Sequence, residues 1–189
     1  MDAGLAAVLG AAVGALGTGG AALLTGLLGR GQARTQLRAE HVRLLREPRR
    51  SAYVAFAQSF QEVQALHAEA FKSASAAAGT AEPDRSTLLD EADRLYARAG
   101  DKLYGEFQQR QSGVTVEGPP PLTAAAFTAE NALLTFRGEL HRLIRGLRRG
   151  PAADELERAA EDALLAVHPP LVRFLDVASG TLADDGLGA

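Results

Sequence analysis

The four histidines are the residues best suited to acid–base or metal chemistry in this chain. Metal sites inside helical bundles commonly place a glutamate three residues before a histidine, so that both side chains lie on one helix face. The residues at that position are Arg38 before His41, Gln64 before His67, Gly138 before His141 and Leu165 before His168. The sequence also contains no HExxH, GxSxG or P-loop motif, and no cysteine. We therefore predict no catalytic residue, no metal site, no cofactor and no enzyme activity.

His67 belongs to an apolar stripe rather than to a polar constellation. The stripe recurs at steps of three and four residues and comprises Tyr53, Phe56, Phe60, Val63, His67 and Ala70. This spacing predicts one buried face of a helix. A hydrogen-bonded core histidine is the interpretation that we prefer over a ligand.

Two patterns that could bind phosphate lack the structural context they need. Gly17, Gly19 and Ala22 satisfy GxGxxA, but no strand pattern precedes them. A basic patch, comprising Arg137, Arg142, Arg145, Arg148 and Arg149, is interleaved with leucines and has no aromatic platform for stacked bases. The formal net charge of the chain is only −3. We predict no nucleic-acid partner.

The N-terminal segment has the length and composition of a membrane anchor. No charged residue occurs between Ala3 and Gly29, a stretch longer than the ~20 residues that cross a bilayer as a helix. We predict a transmembrane anchor over residues 1–31. A cleaved secretion signal with a site at Gly31-Gln32-Ala33 remains the alternative, although a positive n-region is missing.

Small residues recur at every fourth position of this anchor. They are Ala6, Gly10, Gly14, Thr18, Ala22 and Gly26. Such a stripe lets two helix backbones approach closely in lipid, so it predicts self-association and a homo-oligomer. The alternative is that abundant alanine and glycine produce the spacing by composition alone.

An arginine cluster follows the anchor and predicts its orientation. Residues 30–50 contain seven arginines and two glutamates. By the positive-inside rule this end stays in the cytoplasm and the N-terminus lies outside, in a single-pass protein of the bacterial inner (cell) membrane. Membrane lipids are the predicted partner of the first four arginines, which would contact the headgroups: Arg30, Arg34, Arg38 and Arg43.

The remainder predicts an all-α fold: the N-terminal transmembrane helix followed by an up-down bundle of about four helices. We place a basic juxtamembrane helix at 32–47, with a break before Pro48, the bundle at 48–180 and a flexible tail at 181–189. The clearest helix begins with Thr123 as its cap and has a heptad stripe that includes Phe136, Leu140 and Leu143.

Two proline-containing segments are predicted to interrupt the helices of the bundle. The second bundle helix is expected to end near Gln111, and Ser112-Gly113 together with Gly118-Pro119-Pro120-Pro121 predict a loop. In the last helix, Pro169-Pro170 is expected to produce a kink.

The segment from Arg38 to Phe56 resembles a group of uncharacterised actinobacterial membrane-anchored helical proteins. The resemblance rests on the pattern EHxRxxREPRRxAYxxF, which begins at Glu40. It implies a short apolar helix, an Arg-rich segment and a helical remainder, and it implies no activity.

These observations favour a membrane-anchored cytoplasmic scaffold that recruits an unknown protein partner. The alternative is a membrane-active effector whose spans assemble into a pore or lesion. A conducting helix needs a continuous polar face, but Thr18 and Thr25 are the only hydroxyl residues of the segment.

Overall fold

A computed structural model describes residues 46–150 and 153–184, and this part of the chain is all-helical, with four long helices and no strand. Helix α1 covers residues 46–78. The second long helix consists of α2 (Asp84–Lys102), a π-helical segment (Leu103–Phe107) and α3 (Gln108–Glu117). Helices α4 (Pro120–Arg149) and α5 (Asp154–Asp184) follow. The predicted fold class is therefore confirmed at the level of an all-α helical bundle.

Alternating steps of three and four residues explain why one face of α4 is buried in the core. Its buried positions include Leu133, Phe136, Leu140, Leu143 and Leu147, each without solvent exposure. Burying one such side chain stabilises a fold by about 1.5–3 kcal/mol. Pro120 begins the helix, where the missing N–H has no intrahelical partner to lose.

Aromatic rings from three different elements meet in the core. The centroid of Phe56 on α1 lies 4.5 Å from that of Phe174 on α5 and 5.2 Å from that of Phe107 in the π-helical segment. All three rings are fully buried. Tilted ring pairs at such distances add to the stabilisation that burial alone provides. The π-helical segment thus supplies one of the central core residues.

Contacts between helix ends establish an antiparallel order. The Arg46 guanidinium, at the start of α1, donates to the Leu182 carbonyl near the end of α5. The Arg85 guanidinium, near the start of α2, donates to the Leu147 carbonyl near the end of α4. Both arginines satisfy carbonyls of a neighbouring helix terminus, where positive charge also complements the helix dipole. Helix α1 therefore runs antiparallel to α5, and α2 runs antiparallel to α4.

The loop predicted at 112–121 is wrong, because α3 continues to Glu117 and α4 begins at Pro120. Val114 is completely buried and Gln111 is almost so. Burial of these two side chains outweighs the low helix propensity of Ser112 and Gly113. Thr123 is consequently inside the first turn of α4, and the N-cap is Pro119.

Two other predicted boundaries differ from the structure. Arg46 and Glu47 are helical together with Pro48, so no break falls between Glu47 and the proline. Helix α5 is not interrupted at Pro169 and Pro170, and Val167 and Leu171 on either side are packed in the core; the kink at this pair stays a prediction. The same helix reaches Asp184, beyond the predicted end of the bundle at 180.

The predicted transmembrane anchor and nearly all of the basic segment lie outside the described residues. Among the helices that the structure describes, none combines the length and the apolarity required to cross a bilayer.

Candidate functional site

The residues predicted for span self-association and for headgroup contact all precede residue 46. They lie outside the part of the chain that the structure describes. The described bundle instead contains two polar clusters among the helices and one row of exposed charged and apolar residues on its surface. Sequence reasoning identified His67 as a core residue but found neither its partners nor the other cluster.

The first cluster joins three helices around His67. The ring is fully buried on α1, and its Nε2 lies 3.3 Å from Nη1 of Arg137 on α4. The same Nη1 donates to the Tyr96 carbonyl on α2 at 3.1 Å. Because arginine only donates, Nε2 of His67 acts as the acceptor, and the neutral ring carries its proton on Nδ1. One arginine thus links α1, α2 and α4.

Aromatic rings and a glycine hold the Arg137 guanidinium in place. Its central carbon lies 3.9 Å from the Tyr96 ring centroid and 5.5 Å from that of the exposed Tyr104. A Cβ added to Gly100 would lie only 2.7 Å from Nη2 of Arg137. On its outer side, His141 stacks on Tyr96 at 5.4 Å. The absence of a side chain at position 100 therefore provides the space that the guanidinium occupies.

His67 is kept neutral by this environment. Burial, with a smaller contribution from the positive charge of Arg137, lowers the pKa of His67 from 6.5 to about 4. Burial also raises the pKa of Tyr96, against the opposing effect of Arg137. Nδ1 of His67 is buried and has no hydrogen-bond partner among the described residues. The cluster is a contact between three helices that requires the neutral form of His67 as an acceptor.

The second cluster surrounds Glu130, a nearly buried carboxylate on α4. Its two oxygens accept hydrogen bonds from the side-chain amides of Gln108 and Gln111 on α3, the second at 2.5 Å. No cationic side chain of the described residues forms an ion pair with Glu130. The preceding π-helical segment adds one residue to the helix turn and so shifts the direction of the residues that follow it. This shift allows both glutamines to reach one carboxylate.

Neither cluster resembles a metal centre. Across residues 46–150 and 153–184, no group of three or more histidine, aspartate or glutamate side chains could hold a metal ion. A shallow surface depression lies at the start of α5, where its lining comprises Ala153, Asp154, Glu155 and Leu156. It is remote in sequence from both polar clusters.

The outward face of α5 carries the third feature, a row of exposed residues spaced alternately by four and three. The row comprises Arg158, Asp162, Leu165, Pro169, Val172 and Asp176. We call this row the α5 seam. Leu165 at its centre is 68% exposed, the most exposed leucine of the described helices. A seam of this period is typical of helices that pack against another helix.

Comparison of the chain with known protein families, curated proteins and solved structures finds no match.

Proposed function

We propose that the protein is a scaffold anchored in the bacterial inner membrane, with its helical bundle displayed in the cytoplasm for protein contacts. The observation that carries the proposal is the uncharged stretch from Ala3 to Gly29 followed immediately by seven arginines. Such a stretch can span a bilayer, and the arginines would keep its C-terminal end on the cytoplasmic side.

The contacts made at the start of the described part of α1 support the proposal of a scaffold. Arg46, at the start of the described part of α1, donates to the carbonyls of Leu182 and Ala183 at the end of α5. Tyr53, two turns further on, is buried and donates to the Glu117 carbonyl at 3.5 Å. The entry point is thereby tied to two other helices. A tether attached here would hold the whole bundle rather than a single helix.

Because large side chains fill the interior of the bundle, we expect a partner protein to bind at its surface. The largest fully buried side chains are Phe56, Phe60, Phe107, Phe136, Phe174, Leu103, Leu122, Leu133, Leu140, Leu143, Ile144 and Leu147. Large apolar side chains are nevertheless exposed at Val54, Phe127, Leu165, Val172 and Leu175. An exposed apolar residue adds contact area when another protein covers it.

The test is carbonate extraction combined with protease protection of the full chain carrying a C-terminal tag. We expect the protein to remain in the membrane pellet and the tag to be digested in inverted vesicles but protected in spheroplasts. Deletion of residues 1–29 should release the bundle into the soluble fraction. Recovery of the intact chain in the soluble fraction would refute the anchor.

A matched variant tests the orientation separately. Replacing Arg30, Arg34, Arg38 and Arg43 with glutamine should weaken the preference for one orientation, because the positive charges that retain this end in the cytoplasm are lost. The same four replacements at Arg94, Arg98, Arg110 and Arg145, within the bundle, should leave it unchanged. Release of an entrapped dye from vesicles by the full chain would indicate the pore-forming alternative.

A further inference from the structure

We propose that the α5 seam is the contact surface for a second copy of this chain, with the two α5 helices antiparallel. The seam is a second, outward-facing heptad row on a helix whose opposite face already packs in the core through Val167, Leu171 and Phe174. Its centre is apolar and its ends are charged. This arrangement predicts a partner that is apolar at the centre and carries the opposite charge at each end.

A second copy meets the charge requirement at the ends when the twofold axis passes at the level of Val167, with Asp162 of one copy opposite Val172 of the other. Leu165 of one copy then lies opposite Pro169 of the other, and the reverse pair follows by symmetry. At the ends, Arg158 lies opposite Asp176 of the second copy because the two residues are equally distant from Val167. The charges of these facing residues are opposite.

A further charge pair falls into the same alignment. Asp162 and Arg173 have their midpoint between Val167 and His168, less than one residue from the centre defined by Arg158 and Asp176. Both lie on the same side of the seam when α5 is viewed down its axis, so they face each other across the antiparallel pair. A parallel pair would instead bring each charged residue of the seam against its own copy. Charge complementarity thus selects the antiparallel orientation.

The charged residues of this surface are also available for such pairing. Some exposed arginines elsewhere form ion pairs within the bundle, as Arg110 does with Glu106 and Arg148 does with Asp90. Within the described residues, Arg158, Asp162, Arg173 and Asp176 form no ion pair, and all four are exposed. The side-chain Nε of Arg158 donates to the backbone carbonyl of Asp154 at 3.3 Å.

Pairing through the α5 seam would bury only a small surface area. The membrane anchor of the proposed function would strengthen this contact. A single helix pair buries less surface than the ~1,200 Å² of a standard stable interface. Confinement of both copies to one membrane raises their effective concentration and strengthens such a contact without new interactions. The strength of the contact therefore rests on the proposed membrane anchor, whereas the alignment of the two α5 helices does not.

Cross-linking of the full chain in membranes tests the inference directly. The sequence contains no cysteine, so His168→Cys introduces a single thiol beside the predicted twofold axis. A short bismaleimide can bridge helices whose axes lie about 8–10 Å apart. We expect a covalent dimer with His168→Cys and none with Ser51→Cys, which places a thiol on an exposed position of α1.

Reversing the charge of Arg158 then tests whether the cross-link depends on the α5 seam. In the His168→Cys background, Arg158→Glu should lower the cross-linked fraction about fivefold to tenfold, because both symmetry-related pairs change from attraction to repulsion. Adding Asp176→Arg should restore the cross-link, since the opposite charges face each other again. Arg98→Glu, an exposed charge reversal on α2, is the matched control and should change nothing. Circular dichroism of each variant verifies that the bundle remains folded.

The outcomes separate this inference from the membrane anchor. Membrane retention without a cross-link, or a cross-link that Arg158→Glu does not reduce, would overturn the antiparallel pair while leaving the anchor intact. A charge-dependent cross-link in protein recovered from the soluble fraction would support the pair and refute the anchor. Vesicle-dependent protection of the introduced thiol from a water-soluble maleimide, without dimer, would indicate lipid on the seam and would also overturn the inference.

Discussion

His67 connects the interior of the bundle with the pH of its surroundings. Its role follows from two simple properties: the ring is fully buried, and the neighbouring group is a guanidinium that cannot accept a proton. The apolar stripe of α1 was sufficient to predict a buried, hydrogen-bonded histidine. The identity of its partner was not predictable, because Arg137 is separated from it by 70 positions and approaches from another helix.

We expect the bundle to lose stability as the pH falls from 6.5 to 4. The folded-state pKa of His67 is about 4, below the unfolded value of 6.5, so the unfolded chain binds more protons within this interval. The stability gained by keeping His67 neutral in the folded state is fully present above pH 6.5 and disappears by about pH 4. It amounts to about 3 kcal/mol of unfolding free energy.

Urea denaturation at a series of pH values measures this dependence. His67→Phe should flatten the stability curve between pH 4 and 6.5, whereas His168→Gln, at an exposed position of α5, should retain the wild-type slope. Identical slopes for wild type and His67→Phe would show that His67 does not titrate as proposed.

Gly100 and Gly138 provide a matched pair for testing the arginine contact. An added Cβ at Gly138 has open space around it, so Gly138→Ala should stabilise α4 by up to ~1 kcal/mol through helix propensity. Gly100→Ala should destabilise the bundle instead, because the new Cβ displaces Arg137 from the Tyr96 carbonyl and from His67. In an Arg137→Leu background the same Gly100→Ala change should lose most of its cost. Thermal unfolding of the four variants would contradict this account if Gly100→Ala were equally harmful in both backgrounds.

At the scale of helices, a regular seven-residue pattern was predictable and a departure from it was not. The stripe of α4 agrees with burial at Phe136, Leu140 and Leu143. In the second long helix the buried residues Leu103, Phe107 and Gln111 are separated by steps of four, so their direction drifts by about 40° per step in a straight α-helix. The π-helical segment lies within this run and changes the direction of the residues after it. Steps of four also occur in ordinary α-helices, so the spacing did not predict the π-helical segment.

Leu140 tests the packing of α4. It is fully buried at the middle of the helix, so Leu140→Ala removes the transfer free energy of the side chain and leaves a cavity, which typically costs about 2–5 kcal/mol. Arg148→Ala is the comparison, because Arg148 bonds Asp90 and Asp93 on the surface and exposed ion pairs contribute only about 0–1 kcal/mol. We expect a much lower melting temperature for the first variant when unfolding is followed by circular dichroism. Indistinguishable melting temperatures would contradict the packing of Leu140 in the core.

For the whole molecule, two distinct surfaces are proposed to bring copies together: the small-residue stripe before residue 30 and the α5 seam. The first would act within lipid through close approach of backbones, and the second in water through apolar and charged contacts. Because the two depend on different chemistry, they can be separated by substitution. An oligomer that uses both would become smaller in steps, as each surface is disrupted in turn.

Gly14 lies at the centre of the small-residue stripe, and Ala7 is an equally small residue outside it. Gly14→Leu should hold two spans apart and reduce the size of the oligomer in detergent, whereas Ala7→Leu adds the same apolar side chain elsewhere on the helix and should have little effect. Both changes are best measured in an Arg158→Glu background, so that pairing of the bundles does not conceal a loss of contact between the spans. Light scattering after size-exclusion chromatography reports the mass of each variant. If Gly14→Leu and Ala7→Leu changed that mass equally, the regular spacing of small residues would reflect composition, and the α5 seam would be the remaining proposed route to self-association.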